Sequence, residues 1–394
     1  MRFIFGGIAA LILAGLAAAL EMWTIVPGPT LATLILAVGI PELAPWGVVV
    51  CAAILALVQY ISRGWPRIVA TVFAAGALGC ATVPLLFVNA TIAAADDDFR
   101  RALGPDYAVA ASDRQRARMS ATPFSIVTSF AGYTRAAAIH EDAGFPVIAR
   151  DGAHLTLDVY RSADSGLRPA VVLIYGGSWQ HGSPADMAAR ARTYAALGYT
   201  AIAVDYRHAP AFQYPTQIND VSDALATIAH NARAWNVDRA RVAVMGYSAG
   251  AQLALLAAYG PEPLAIKAVV ALYAPEDLTQ GYNNPPVPDP VNVRASIAHY
   301  IGGTPVQDPD AYAAASPLSH VRSGLPATLL IGGARDELVR LEFQHQMRDR
   351  LHLQGDLVIS IDLPCSNHSF DELPNGLGAQ IARYYTERFL AATL

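Results

Sequence analysis

Short apolar runs alternate with helical segments over the second half of the chain, and this alternation restricts the fold more than any other feature of the sequence. The runs are HLTLDVYR (154–161), AVVLIYG (170–176), YTAIAVDYR (199–207), RVAVMGY (241–247), IKAVVALYA (266–274), ATLLIGG (327–333) and LVISIDLP (357–364). Most of them are continuously apolar, as strands covered on both faces of a sheet are. Between the third and fourth runs, apolar residues recur at three- and four-residue steps from Ile218 to Ile228, which predicts a helix. The pattern predicts an α/β domain with a mostly parallel sheet and helices on both of its faces.

The first 95 residues differ from the rest of the chain because they carry only five charged side chains. Hydrophobic residues make up 54% of the whole chain and charged residues 15%, a balance that is unusual for a purely soluble protein. Three apolar tracts, 3–20, 31–61 and 68–95, each reach about the 20 residues that a membrane-spanning helix needs. We therefore predict an N-terminal transmembrane helical region over residues 1–95.

The arginines of this region indicate its orientation. The middle tract is interrupted by PELAP (41–45), so it holds either two crossings or one crossing preceded by a short re-entrant or interfacial piece. Arg2 precedes the first tract, and Arg63 and Arg67 lie between the last two. The positive-inside tendency places these arginines in the cytoplasm, which three crossings satisfy and four do not. The remaining chain is then expected outside the cytoplasmic membrane. A cleavable signal peptide is the alternative interpretation of the first tract, and it leaves the later tracts as the anchor.

The soluble part divides into a connector and a larger domain. Residues 96–144 mix polar and apolar stretches and are predicted to be a connector, and the α/β domain is expected over residues 145–394. Residues 275–326 depart from the alternation, and the stretch GYNNPPVPDPV within them is too rich in proline for regular structure. We expect an inserted cap or loop there.

Charge and cysteine content exclude several function classes. The net charge of −5 and the lack of a basic cluster argue against nucleic acid as a partner. Cys51 and Cys80 fall in the apolar tracts, and Cys365 is the single cysteine of the soluble part. This spacing provides neither a disulfide framework nor the ligands of a zinc site in the soluble domain.

A corner of small residues, GYSAG (246–250), joins a predicted strand to a helix-forming stretch. Such a sharp turn exposes the hydroxyl of Ser248 above the edge of the sheet, and the flanking glycines remove side chains that would collide with nearby backbone. The helix that begins there also has unpaired amides, so the amide of Ala249 can face an oxygen that gains negative charge. Taken alone, the corner fits a helix-capping loop equally well.

A nucleophilic serine needs a base, and the base needs a group that fixes its tautomer. Two later strands run out into loops that contain Asp336 and His368. Because parallel strands share a carboxyl-terminal edge, we expect both side chains on the same edge of the sheet as Ser248. The chain order Ser248, Asp336, His368 is the order expected for a nucleophile elbow with its base and acid. Asp277, which follows the strand before the cap, is the alternative acid.

Two glycines follow the predicted strand AVVLIY, in the sequence Gly176-Gly177-Ser178-Trp179. Adjacent glycines allow backbone amides to approach a ligand closely, which is the second requirement of an oxyanion hole. An ordinary strand-to-helix turn would explain this loop if it stood alone. Its position on a strand predicted to neighbour Ser248 favours the functional interpretation.

Together these segments resemble the α/β-hydrolase superfamily, and within it the esterase/lipase group related to hormone-sensitive lipase and the feruloyl-esterase-like (BD-FAE) enzymes. The matching segments are YGGSW for the family's His-Gly-Gly-x-Trp, VDYRHAP for its Asp-Tyr-Arg-x-Ala-Pro, and GYSAG, SPLSHV, GGARDELV and NHSF. The resemblance covers about residues 145–394 and leaves the apolar tracts outside. Tyr175 stands where the family usually has histidine, and Ser178 replaces the third glycine of the longer form.

The resemblance implies the α/β-hydrolase fold and the roles of individual residues. Ser248 would be the nucleophile, His368 the base and Asp336 its partner. The oxyanion hole would be formed by the amides of Gly177, Ser178 and Ala249, and substrate contacts are expected from Gly176, Trp179 and Tyr247.

The sequence therefore predicts a membrane-anchored serine hydrolase that cleaves carboxylic esters through an acyl-enzyme. Such chemistry needs no metal or organic cofactor, and the expected partners are an ester substrate and the lipid bilayer. An amide or peptide hydrolase would use the same residues. A non-catalytic binding or sensing protein is a third alternative.

Overall fold

Within residues 2–133, 137–163 and 166–394, which the computed structural model describes, the strands form one eight-stranded sheet. The strands are β1 (Ile139–Ile148), β2 (His154–Ser162), β3 (Arg168–Ile174), β4 (Thr200–Val204), β5 (Val237–Tyr247), β6 (Ile266–Leu272), β7 (Ala327–Gly333) and β8 (Val358–Leu363). Their order across the sheet is β1-β2-β4-β3-β5-β6-β7-β8. The pairs β1–β2 and β2–β4 are antiparallel, whereas all the others are parallel. The predicted mostly parallel sheet is therefore confirmed.

The helices connect these strands and precede them. They are α1 (Arg2–Glu21), α2 (Leu31–Glu42), α3 (Ala44–Ile61), α4 (Gly64–Leu103), α5 (Asp113–Arg116), α6 (Ile126–Ala131), α7 (Ala188–Ala196), α8 (Thr216–Asn231), α9 (Ala249–Tyr259), α10 (Leu278–Asn283), α11 (Val293–Ile301), α12 (Pro309–Ala315), α13 (Leu341–Leu353) and α14 (Leu377–Thr393). Short 3₁₀ helices lie at Met22–Thr24, Tyr107–Val109, Pro184–Met187, Pro317–His320 and Phe370–Glu372. The helix expected from the periodicity of residues 218–228 is α8, and Val221, Leu225 and Ile228 on it are buried.

Continuous burial along the central strands shows that both faces of the sheet are covered. Every residue of β4 is buried, and β3 and β6 are buried from their third residue onward. By contrast, β1 is mostly exposed and lies at the edge of the sheet. The sheet begins at Ile139, upstream of residue 145, where the α/β domain was expected to begin. The sequence of β1 lacks the apolar pattern of a buried strand because an edge strand has less of its surface to bury.

The expected insertion at residues 275–326 falls between β6 and β7. This segment contains the short helices α10, α11 and α12, and residues 284–292 between α10 and α11 form no helix or strand. The proline-rich stretch thus separates short helices within the insertion.

The N-terminal region contains, among the described residues, three helices long and apolar enough to cross a membrane. They cover Phe5–Thr24, Ala44–Ile61 and Gly64–Leu103. Their number agrees with the three expected crossings. Helix α2 has only 12 residues, which is too few to span a bilayer. The interruption PELAP is therefore the junction where α2 ends and α3 begins.

Helix α4 is continuous from the N-terminal region into the α/β domain. It runs without a break through residue 95, where the sequence suggested a boundary. Near its end, Phe99 is fully buried and its ring centroid lies 5.0 Å from those of Tyr107 and Tyr385. Val88 and Ala95 belong to the same hydrophobic cluster as the central strands. The α/β domain therefore packs on the carboxyl-terminal half of α4.

Candidate active site

The corner between β5 and α9 has the geometry of a strained turn. Ser248 has a φ of 53° and a ψ of −123°, a conformation that residues with a Cβ rarely adopt. A Cβ on residue 246 would overlap the backbone of Gly250, and one on residue 250 would overlap the carbonyl oxygens of Ile174 and Tyr175. Both glycines are therefore required for α9 to begin this close to β5 and β3.

A continuous chain of hydrogen bonds links the three residues that the sequence singled out. His368 Nε2 lies 2.8 Å from Ser248 Oγ, and His368 Nδ1 lies 2.8 Å from Asp336 Oδ2. A carboxylate can only accept, so Nδ1 donates to Asp336 and leaves Nε2 to accept the proton of the serine hydroxyl. The side chains of His368 and Asp336 are only 8% and 2% exposed. This arrangement can deprotonate a serine as it attacks an electrophile.

Both oxygens of the Asp336 carboxylate accept hydrogen bonds. Oδ1 accepts hydrogen bonds of 2.8 Å from the backbone amides of Leu338 and Val339, while Oδ2 faces His368. These amides belong to the turn DELV, and nothing in the sequence pattern marks them as partners of the aspartate.

Asn367 joins the loop of Asp336 to the loop of His368, a role that sequence reasoning missed. Its Oδ1 accepts from the amide of Glu337 at 3.0 Å and from the amide of His368 at 2.7 Å. Its Nδ2 donates to Glu337 Oε1 at 2.7 Å. The only available signal was its position in the motif NHSF.

Asp277, the alternative acid, is used differently. Its Oδ1 accepts from the amide of Gln280 at 2.9 Å and caps α10. The neighbouring Glu276 is 1% exposed, and burial, together with the charge of Asp336, raises the pKa of its carboxyl to about 8. The carboxylate that contacts His368 is that of Asp336.

The loop after β3 has an unusual run of backbone conformations. Gly177, Ser178 and Trp179 have φ values of 115°, 53° and 60°. In the described part of the chain, the amides of Gly177 and Ser178 donate to no backbone or side-chain acceptor. Gly176 packs against the corner, since a Cβ there would lie 2.8 Å from the carbonyl oxygen of Tyr247. The loop is thus held beside Ser248.

A pocket opens at Ser248. Ser178 and Ala249 line it beside the serine. Most of its other walls are apolar and come from Trp179, Pro275, Val293, Ile297, Leu338 and Phe343. The pocket can therefore hold an apolar group beside this serine.

The structure separates the three residues expected to contact substrate. Trp179 lines the pocket, stacks on Tyr300 with ring centroids 4.3 Å apart and donates from Nε1 to Gln252 at 3.0 Å. Gly176 packs against the backbone of Tyr247 and does not line the pocket. Tyr247 lines a different cavity, where the guanidinium of Arg190 lies 4.5 Å from its ring centroid. Residues 247 and 248 face different cavities because successive side chains at the end of a strand point in opposite directions.

The segment Asp205-Tyr206-Arg207 is structural. Arg207 Nη2 lies 2.7 Å from the buried carboxylate of Asp220. The hydroxyl of Tyr175, which replaces the expected histidine, donates to Asp205 Oδ1 at 2.7 Å. This contact ties the end of β3, and so the amide loop, to the chain after β4.

Metal-binding side chains do not cluster in the described residues, where no group of three or more His, Cys, Asp or Glu could hold a metal ion. Cys51, Cys80 and Cys365 are free thiols.

Known proteins are similar to the α/β domain. Residues 157–351 match the family model described as BD-FAE. Esterase LipC of Mycobacterium tuberculosis is 32% identical over 248 residues, which cover 58% of this chain and 60% of that protein. The probable carboxylic ester hydrolase LipM of the same organism is 28% identical over 251 residues, which cover 60% of this chain and 57% of that protein. The chain thus spans less than two thirds of the length of these curated relatives.

Solved structures share the fold. A hyperthermophilic esterase from the archaeon Pyrobaculum calidifontis superposes with a TM-score of 0.55 at 26% identity. The similarity covers 64% of this chain and 83% of the archaeal chain.

Proposed function

We propose that this chain, which belongs to the esterase/lipase group of the α/β-hydrolases, is a membrane-anchored serine hydrolase that cleaves carboxylic esters. The observation that carries the proposal is the hydrogen-bonded chain from Ser248 through His368 to Asp336 at the mouth of an apolar pocket. The relatives named as esterases or ester hydrolases support the reaction class.

In the proposed mechanism, Ser248 Oγ attacks the ester carbonyl while His368 Nε2 takes its proton. The carbonyl oxygen becomes negatively charged in the tetrahedral intermediate, and the amides of Gly177, Ser178 and Ala249 stabilise it. His368, now an imidazolium beside Asp336, returns the proton to the leaving alcohol as the acyl-enzyme forms. Water activated by the same histidine then releases the acid and regenerates the serine.

The apolar walls of the pocket favour substrates with an apolar acyl group. Each buried methylene contributes about 0.8 kcal/mol, so kcat/KM for p-nitrophenyl esters is expected to rise about fourfold per added methylene until the pocket is full. Esters whose acyl chain is too long for the pocket should then have a lower kcat/KM. The measurement is a chain-length series on the purified full chain, with a p-nitroanilide of the preferred acyl group alongside.

The anilide and an activity-based probe separate the alternatives. We expect the ester to be turned over much faster than the anilide. Faster turnover of the anilide would instead identify an amide hydrolase. A chain that hydrolyses neither compound and is not labelled by a fluorophosphonate would be a binding protein on the same fold.

We also propose that the three apolar helices cross the cytoplasmic membrane and that the hydrolase domain lies outside it. The support is that Arg63 and Arg67 flank the start of α4, whereas the domain packs near its other end, at Phe99. Alkaline phosphatase fused after Leu394 should therefore be active in a bacterial host, because this reporter is active only outside the cytoplasm. A green fluorescent protein fused at the same residue and exported by the general secretory route should stay dark. The reverse pair of results would invert the orientation.

A further inference from the structure

A carboxylate from the N-terminal region reaches into the loop that precedes His368. Glu42 is the last residue of α2 and is only 2% exposed. Its Oε1 accepts a hydrogen bond of 2.6 Å from Ser366 Oγ, and its Oε2 accepts one of 2.6 Å from the amide of Gly378. These contacts join segments more than 300 residues apart in the chain, because the separations are 324 and 336 residues.

The hydrolase domain leaves room for this carboxylate. A Cβ on residue 376 would lie 2.6 Å from Glu42 Oε2, and one on residue 378 would lie 2.8 Å from Glu42 Oε1. Both glycines stand at the start of α14, a helix of 17 residues whose amino-terminal end favours a negative charge. Burial raises the pKa of Glu42 to about 7, while the hydrogen bonds from Ser366 and Gly378 act in the opposite direction. The site is therefore shaped for a carboxyl group from another part of the chain.

A second contact reaches the loop of Asp336. The amide of Gly28, in the segment between α1 and α2, donates to Glu337 Oε2 at 2.8 Å. Glu337 in turn accepts from Asn367 Nδ2 at 2.7 Å. The α1–α2 segment thus contacts Glu337, which adjoins Asp336 and is itself hydrogen-bonded to Asn367, the residue before His368.

Ser366 connects the two catalytic loops, so its position affects both. Its carbonyl oxygen accepts from the amide of Arg335 at 3.2 Å, and its side chain is held by Glu42. His368 follows two residues later and must keep hydrogen bonds of 2.8 Å to Ser248 and to Asp336. A misplacement of about 1 Å at a catalytic group can cost about 100-fold in rate.

We infer that Glu42 is a positioning residue. Through it, the N-terminal region holds the loop of His368 where the imidazole contacts both Ser248 and Asp336. This inference rests on the proposed function. It makes the N-terminal region a support of the active site in addition to its proposed role as an anchor.

The test compares variants of the full chain in lipid nanodiscs. Glu42→Ala is expected to lower kcat for a p-nitrophenyl ester about 10- to 100-fold while KM stays within about twofold, because the pocket is unchanged. Glu42→Gln should keep most of the wild-type kcat, because the glutamine amide can accept a hydrogen bond from the amide of Gly378 and donate one to Ser366 Oγ. Glu21→Ala is the matched control, because Glu21 is also a buried carboxyl of the N-terminal region. Its Oε1 lies 4.0 Å from Cys51 Sγ, within the apolar helices, so its loss should leave kcat unchanged.

A double-mutant cycle gives the sharper result. Ser366→Ala should lower kcat by a similar factor, and the Glu42→Ala/Ser366→Ala pair should be little worse than either single variant. Additive losses, a wild-type kcat in Ser366→Ala, or a change confined to KM would overturn the inference. If Glu42→Ala does not fold, Ser366→Ala and Glu42→Gln decide alone. An inactive wild-type chain would instead refute the proposed function, whereas an active wild type matched by Glu42→Ala refutes only the role of Glu42.

Discussion

Ser248→Ala is expected to lower kcat for ester hydrolysis by about 10⁴-fold or more, with KM nearly unchanged. The alanine removes the only atom that can form the acyl-enzyme in the proposed mechanism, and it leaves the pocket walls and the backbone amides in place. Water bound in the pocket can still react slowly, so a small residual rate above the uncatalysed reaction is expected. Steady-state kinetics with the preferred p-nitrophenyl ester measure the loss.

The control is Ser323→Ala, which removes an exposed serine hydroxyl elsewhere in the domain. This variant should keep the wild-type kcat and should be labelled by a fluorophosphonate as the wild type is. Ser248→Ala should not be labelled. Equal ester hydrolysis by Ser248→Ala and the wild type would remove Ser248 from the mechanism.

Local sequence patterns were sufficient to predict the part of the fold that carries the site. β4, β6 and β7 are predominantly apolar because both faces of the sheet are covered, and that property can be read from the sequence directly. The turn at Ser248 could be predicted for a similar reason, since the absence of side chains at Gly246 and Gly250 is a local requirement. Parallel strands then bring the loops of Asp336 and His368 to the same edge.

Contacts between distant segments could not be predicted in this way. Glu42 and Ser366 are brought together by the packing of α2 on the α/β domain, and neither has a local pattern that marks a partner. Asn367 is similar, because its role depends on the distance between two loops. Strand β1 was missed for the opposite reason, since an exposed edge strand need not be apolar.

The second large effect is expected for Asp336→Asn, which should lower kcat by about 10⁴-fold. The asparagine would fill the same space, but its amide cannot stabilise the imidazolium and can donate to Nδ1. His368 would then carry its proton on Nε2, where it cannot accept from Ser248. Steady-state kinetics of the preferred ester measure the loss.

Asp277→Asn is the matched control, because it makes the same chemical change at the acid that the sequence offered as the alternative. Asn caps helices about as well as Asp, so α10 should be retained and kcat should stay at the wild-type value. A large loss in Asp277→Asn together with a small one in Asp336→Asn would transfer the role to Asp277. The two substitutions distinguish a carboxylate that orients His368 and stabilises its imidazolium from one that only caps the start of a helix.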